Sequence, residues 1–162
     1  MKTNKNENTG EEKNYKSGLV ISVNVSEKKG VKKKPQAEGY LREDYGLEGD
    51  AHAGPGLRQV SLLALESIQK MKEMGVDVSP GDFAENITTS YLDLPSLPIG
   101  TILEVGQGVI LEVTQIGKTC HTGCAIFQQV GHCVMPKEGI FARVVKGGKI
   151  KAGDRINVRL RT

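Results

Sequence analysis

Thr101-Ile102-Leu103-Glu104-Val105-Gly106-Gln107-Gly108-Val109-Ile110-Leu111-Glu112-Val113-Thr114-Gln115-Ile116 reads as two β-branched runs joined by a glycine turn short enough to make a hairpin. Downstream, 140–146 and 155–160 carry the same β-branched signature, with Gly147-Gly148 as a second turn that is looser than the first. Upstream, 59–63 predicts a short buried strand and 83–88 another, after the turn Ser79-Pro80-Gly81-Asp82. Near the start, Leu19, Ile21, Val23 and Val25 alternate with Val20, Ser22, Asn24 and Ser26, which predicts a half-buried strand. Only one segment is clearly helical. Leu65, Ile68, Met71 and Met74 recur at helical spacing, Glu66, Gln69, Lys70 and Lys72 form a wet face, and Gly75 supplies a left-handed cap. The two methionines there read as core filling. Short strands joined by glycine turns predict a mostly β chain closed into a barrel, with one main helix and short additional helical turns, rather than a layered α/β sheet.

The chain has 162 residues and 38% apolar content, which suits one domain with a real core. Residues 1–16, rich in Lys, Asn and Glu without apolar periodicity, are expected to form a disordered tail ahead of a domain at 17–162. No run is apolar enough to span a membrane and the N-terminus is polar, so a cytoplasmic location and no membrane partner are expected. The net charge of +3 is concentrated at the front: residues 1–34 hold nine lysines against four glutamates, and the remainder is slightly acidic. The cationic run 28–34 contains no aromatic residue to stack on a base, so it is expected to be a solvated loop and the chain is not expected to bind nucleic acid. Nucleotide-binding glycine loops and the serine-hydrolase elbow are absent from the sequence.

The chemistry-bearing stretch is Lys118-Thr119-Cys120-His121-Thr122-Gly123-Cys124, directly after the strand that ends at Ile116. Three readings are open. Cysteines commonly fill cores, and Cys133 beside Val134 and Met135 suits that use. Cys120, Cys124 and Cys133 with His121 or His132 offer a soft metal set, although the spacing is not the paired C-x2-C of zinc ribbons. A reactive thiol accounts for Lys118 and His121 flanking Cys120, since nearby cations favour the thiolate, and Cys124 is placed to form a disulfide with it. The glycine-rich stretch 46–56 predicts a loop presenting Asp50 and His52, an acid–base pair or self-capping loop chemistry. Glu85-Asn86 either orients a ligand or belongs to a turn.

Gly46-Leu47-Glu48-Gly49-Asp50-Ala51-His52, Arg58-Gln59-Val60-Ser61-Leu62-Leu63, Pro80-Gly81 with Glu85-Asn86-Ile87, Pro98-Ile99-Gly100 and Gln115-x4-Cys120 together resemble the MOSC domain, named after the C-terminal domain of molybdenum cofactor sulfurase. The resemblance implies a pyruvate-kinase-like β-barrel and a role in molybdenum cofactor or sulfur metabolism. It carries onto Cys120 the role of receiving sulfane sulfur from a pyridoxal-phosphate-dependent cysteine desulfurase, or of ligating metal. Asp50, His52, Arg58, Glu85 and Asn86 match other motif positions and are implied cofactor-binding residues, while Arg58, Lys118 and Arg143 are candidates to face a cofactor phosphate. The implied partners are a desulfurase, cofactor-biosynthesis proteins or molybdenum enzymes. Pyridoxal phosphate is expected only on such a partner. A sulfur carrier and a molybdenum or molybdopterin-binding module, the latter with Cys120 and Cys124 as metal ligands, both remain open.

Overall fold

The computed structural model describes residues 15–117 and 135–159. Eleven strands are found there: β1 (Tyr15–Val25), β2 (Lys34–Gln36), β3 (Glu38–Arg42), β4 (Gly46–Leu47), β5 (Val60–Ala64), β6 (Ile87–Ser90), β7 (Ile102–Val105), β8 (Val109–Ile116), β9 (Ile140–Lys146), β10 (Gly148–Lys151) and β11 (Arg155–Arg159). Seven of them close a barrel in the order β11-β7-β8-β9-β5-β6-β1, and β1 pairs back onto β11 from Tyr15↔Arg159 to Leu19↔Arg155. Every barrel pairing is antiparallel except β5 with β6. Closure removes the free sheet edges that an open arrangement would leave. The expected barrel and its β7–β8 hairpin, with Val105 opposite Val109, are present.

Two apolar clusters hold the molecule. The larger fills the barrel with inward residues of each strand, among them Val23, Leu62, Ile87, Leu111, Ala142 and Val158, all fully buried. The smaller lies outside it, where α1 (Leu65–Glu73) lays Ile68 and Met71 on Leu63, Phe83 and Phe141. Leu63 and Phe141 thus mark the outer face of β5 and β9, and Leu62 and Ala142 mark the inner face. No helix among the described residues is long and apolar enough to cross a membrane.

Several local expectations change. The simple alternation in β1 is broken by a bulge between Val20 and Ser22, so Val20 faces the core before it and Val23 after it. Met74 is 52% exposed because α1 ends at Glu73 and Met74 is its C-cap, one position short of the apolar stripe. The strand expected at 83–88 starts only at Ile87. Gly81 and Ala84 have positive φ, and the amides of Gly81 and Phe83 donate to the Glu85 carboxylate instead of to a ladder. Gly147-Gly148 does not close a hairpin between β9 and β11. Instead β10 follows it and pairs with β3, and β3 with β4, in a second three-stranded sheet that the sequence did not announce. Gly147 permits that approach, since a Cβ there would sit 2.3 Å from the Leu41 carbonyl oxygen. The cationic loop is not uniformly solvated either: Lys33 is buried.

Candidate functional site

The expected reactive segment, with Lys118, Cys120, His121, Cys124 and Cys133, lies outside the described residues, but its two ends do not. The Gly117 amide donates to the Gly139 carbonyl at 2.7 Å, so the exit of β8 and the entry of β9 are tied together. The Gln115 side chain grips the same place from both ends of its amide. Its Nε2 donates to the Gly117 carbonyl at 2.8 Å, and its Oε1 accepts from Arg58 Nε at 3.1 Å. On the far side, Glu138 accepts from Ser67 Oγ at 2.5 Å and Lys70 Nζ at 2.6 Å, fixing the helical turn Met135–Glu138 to α1.

Arg58 is thereby held in one orientation. Its guanidinium carbon lies 5.2 Å from the centroid of the Phe141 ring, a cation–π contact, while Gln115 takes Nε. The preceding backbone is anchored too, because the Thr114 hydroxyl donates to the Leu57 carbonyl. No described side chain takes the terminal nitrogens of Arg58, and the residue is exposed. A planar fork fixed in this way suits an oxyanion. Arg143 lies two residues beyond Phe141 on the same outer face of β9, and its Nε is occupied by Glu112 at 2.8 Å.

Asp50 and His52 belong to a second group, built around Lys33. Lys33 Nζ, fully buried, contacts Asp50 Oδ1 at 2.8 Å, His52 Nδ1 at 2.9 Å and Ser26 Oγ at 3.1 Å. Burial opposes the charged form of Asp50. The Lys33 hydrogen bond and charge, the Ser26 amide and the Asn86 carboxamide outweigh that cost and hold its carboxyl below the ordinary range. Sequence reasoning missed Lys33, because in a run of lysines nothing separates the one that turns inward from those that stay in water.

Asn86 connects this group to the barrel. Its Oδ1 accepts from the amide and hydroxyl of Ser61 at 3.0 and 3.2 Å, and Ser61 is the β5 residue opposite Phe141. Glu85 is fully buried; its carboxylate accepts from the Gly81 and Phe83 amides and from Thr88 Oγ1 at 2.6 Å. Burial raises its pKa against those three donors. Asn24 on β1 completes the network, donating to the Glu85 carbonyl and to Thr88. The structure therefore brings Lys33, Asp50, His52 and Asn86 together, and separately Arg58, Gln115 and Phe141, with Ser61 between the two groups.

A molybdenum cofactor needs cationic donors for its phosphate and a soft ligand for its metal. Arg58 fits the first requirement. Among the described residues no group of three or more His, Cys, Asp or Glu is arranged to hold a metal ion, and the three cysteines, Cys120, Cys124 and Cys133, lie outside those residues.

Fold and site together define a class: a small closed β-barrel that orients an arginine where a cysteine-bearing segment leaves and rejoins the sheet. The sequence profile of the MOSC domain matches residues 48–157, and the chain belongs to that family, a domain related to molybdenum cofactor sulfurase. The fold is also that of the YuaD protein from Bacillus subtilis, at TM-score 0.77 and 19% identity over 91% of this chain and 98% of that one. YiiM from Geobacillus stearothermophilus gives TM-score 0.68 and 22% identity over 89% and 76% of the two chains. YiiM from Escherichia coli gives 0.58 and 21% over 92% and 71%. No curated protein matches the chain.

Proposed function

We propose that this MOSC domain is a sulfur carrier that takes sulfane sulfur onto Cys120 from a pyridoxal-phosphate-dependent cysteine desulfurase and delivers it to a metal or cofactor site. The observation that supports it best is the double grip of Gln115, three residues before Lys118 at the start of the cysteine segment. One amide fixes both the Gly117 carbonyl and Arg58, tying the entrance of that segment to an oriented cation. In the transfer step the Cys120 thiolate attacks the outer sulfur of the donor persulfide. The donor S–S bond breaks, its electron pair leaves on the donor thiolate, and Cys120 carries the new persulfide. Cys124 can then attack Cys120 Sγ, forming a disulfide and releasing hydrosulfide.

A second reading is favoured by the terminal nitrogens of Arg58, which no described side chain takes: a binding module for molybdenum or molybdopterin. Arg58, with Arg143 and Lys118 near it in the reading, would hold the phosphate, and Cys120 would be the soft ligand, with Cys124 as a second. The bound cofactor would supply the metal centre.

Limiting iodoacetamide is expected to label Cys120 ahead of Cys124 and Cys133. Cys120→Ser should abolish persulfide loading from a desulfurase, whereas Cys133→Ser should leave it intact. If Cys133 labels first or Cys120→Ser still loads fully, the carrier reading fails. Mass spectrometry of the native protein separates the two readings, a persulfide adduct favouring the first and a retained pterin the second.

A further inference from the structure

We propose that the cavity at the start of α1 is a binding site for a small organic cation, an ammonium group carried on an apolar or aromatic body. The inference uses none of the residues grouped around Arg58 or Lys33, and it holds whatever the role of Cys120.

The cavity has a volume of about 580 Å³ and lies between the first turns of α1, the chain that leaves β6, the 3-10 turn Leu94–Ser96 and the helical turn Met135–Glu138. That volume suits a small molecule. Its buried lining includes Ala64, Leu92 and Leu94, so the hydrocarbon body of a ligand gains by leaving water there. Tyr91 lines the cavity as well and is 73% exposed, which places it at the rim. Its φ of +70° is a costly conformation for an aromatic residue, and local stability alone would favour glycine at such a position. Glu66 pins the strained backbone: Oε2 accepts the Tyr91 amide at 2.9 Å and the Ser90 hydroxyl at 3.1 Å. The strain keeps an aromatic side chain at the cavity, where glycine would leave none.

Charge decides the sign of the ligand. Three carboxylates, Glu66, Asp93 and Glu138, and two amines, Lys70 and Lys137, line the cavity, a balance of −1. Lys70 is engaged by Glu138 at 2.6 Å. Glu66 accepts from the neutral donors Ser90 and Tyr91, and no described cation pairs with it or with Asp93. Lys137 is exposed, and its flexible stem can turn the charge into water. A ligand ammonium therefore meets two carboxylates without a counter-charge and an aromatic ring whose face attracts cations. An anion of the same shape meets Lys137 alone against that excess.

The test is 1H–15N correlation spectroscopy of the full-length protein, titrated with phenethylamine and separately with phenylacetate at neutral pH and one ionic strength. The amine is expected to give saturable shifts of the Ala64, Tyr91, Leu92 and Leu94 amides, and phenylacetate to shift them far less at equal concentration. Asp93→Asn, which removes the charge of an exposed carboxylate, should weaken the amine about two- to fivefold. Tyr91→Gly should weaken it about tenfold while its urea midpoint stays level or rises, because glycine adopts this backbone without strain. No saturable shift with the amine, equal affinity for phenylacetate, or wild-type affinity in Asp93→Asn overturns the proposal, whether or not Tyr91→Gly folds. So does wild-type affinity in a folded Tyr91→Gly.

Discussion

A lysine amine stripped of water survives only with a full set of acceptors, and the residues around Lys33 show what removing one of them does. Replacing Asp50 with Asn leaves the ammonium without its counter-charge, and breaking a buried pair in this way costs about 3–5 kcal/mol. Urea unfolding at neutral pH should show a loss of that order. The pH dependence should change as well. The Asp50 carboxyl lies below its usual value of 3.8 in the fold, so its stabilisation is complete above that pH and disappears as pH falls through the folded value. Asp50→Asn should flatten that part of the acid limb. Glu85 has the opposite sign. Its pKa is raised above 4.5, so the folded state binds its proton more readily than the unfolded chain, and its contribution declines as pH rises through the folded value. Relative to wild type, Glu85→Gln should therefore lose least at high pH, measurable as the difference in urea midpoints across pH.

At the scale of elements, periodicity made the barrel legible and irregularity concealed the rest. The β7–β8 hairpin announced itself because Gly106 and Gly108 interrupt two β-branched runs. The bulge in β1 gave no such signal, since Ser22 and Asn24 look like solvent-facing positions and are buried only because Asn24 and Thr88 satisfy each other across β1 and β6. The sheet of β3, β4 and β10 was hidden in glycine-rich and lysine-rich sequence, where pairing depends on close backbone approach rather than on apolar pattern. The turn before β6 is the most exacting of these approaches. Gly81 has φ +93°, its carbonyl accepts from the Lys33 amide, and a Cβ on it would lie 2.2 Å from the Lys33 carbonyl oxygen. Gly81→Ala should cost about 2–3 kcal/mol in urea unfolding, more than an ordinary loop substitution, because both the dihedral and the contact are violated. A variant that unfolds at the wild-type midpoint would show that this turn is free to move.

For the molecule as a whole, the seven-stranded closure explains why the family was readable from scattered motifs: Asp50, Asn86 and Ser61 are far apart in sequence and meet only once β1, β5 and β6 are assembled. The candidate cysteines lie outside the described residues, and at the two ends of their segment neither Gln115 bridging Gly117 to Arg58 nor Phe141 beside Arg58 is implied by local pattern. Barrel filling should dominate stability. Leu111→Ala, at a position without exposure, is expected to cost about 2–5 kcal/mol in chemical denaturation. Deleting residues 1–14, a Lys-, Asn- and Glu-rich stretch without apolar periodicity, is expected to leave the melting temperature unchanged, since β1 begins at Tyr15. A fall of more than a few degrees would show that this segment packs on the domain.

The pairing of Tyr15 with Arg159 joins positions roughly 140 residues apart. During synthesis β1 therefore leaves the ribosome long before its β11 partner exists. Until residues 155–159 are made, one flank of β1 stays open to any extended chain nearby. Seam closure is the step with the largest loop to immobilise, which makes it the natural bottleneck in reaching the native state. Premature termination anywhere before β11 would release an open sheet with an unpaired flank, a far more adhesive object than the finished barrel.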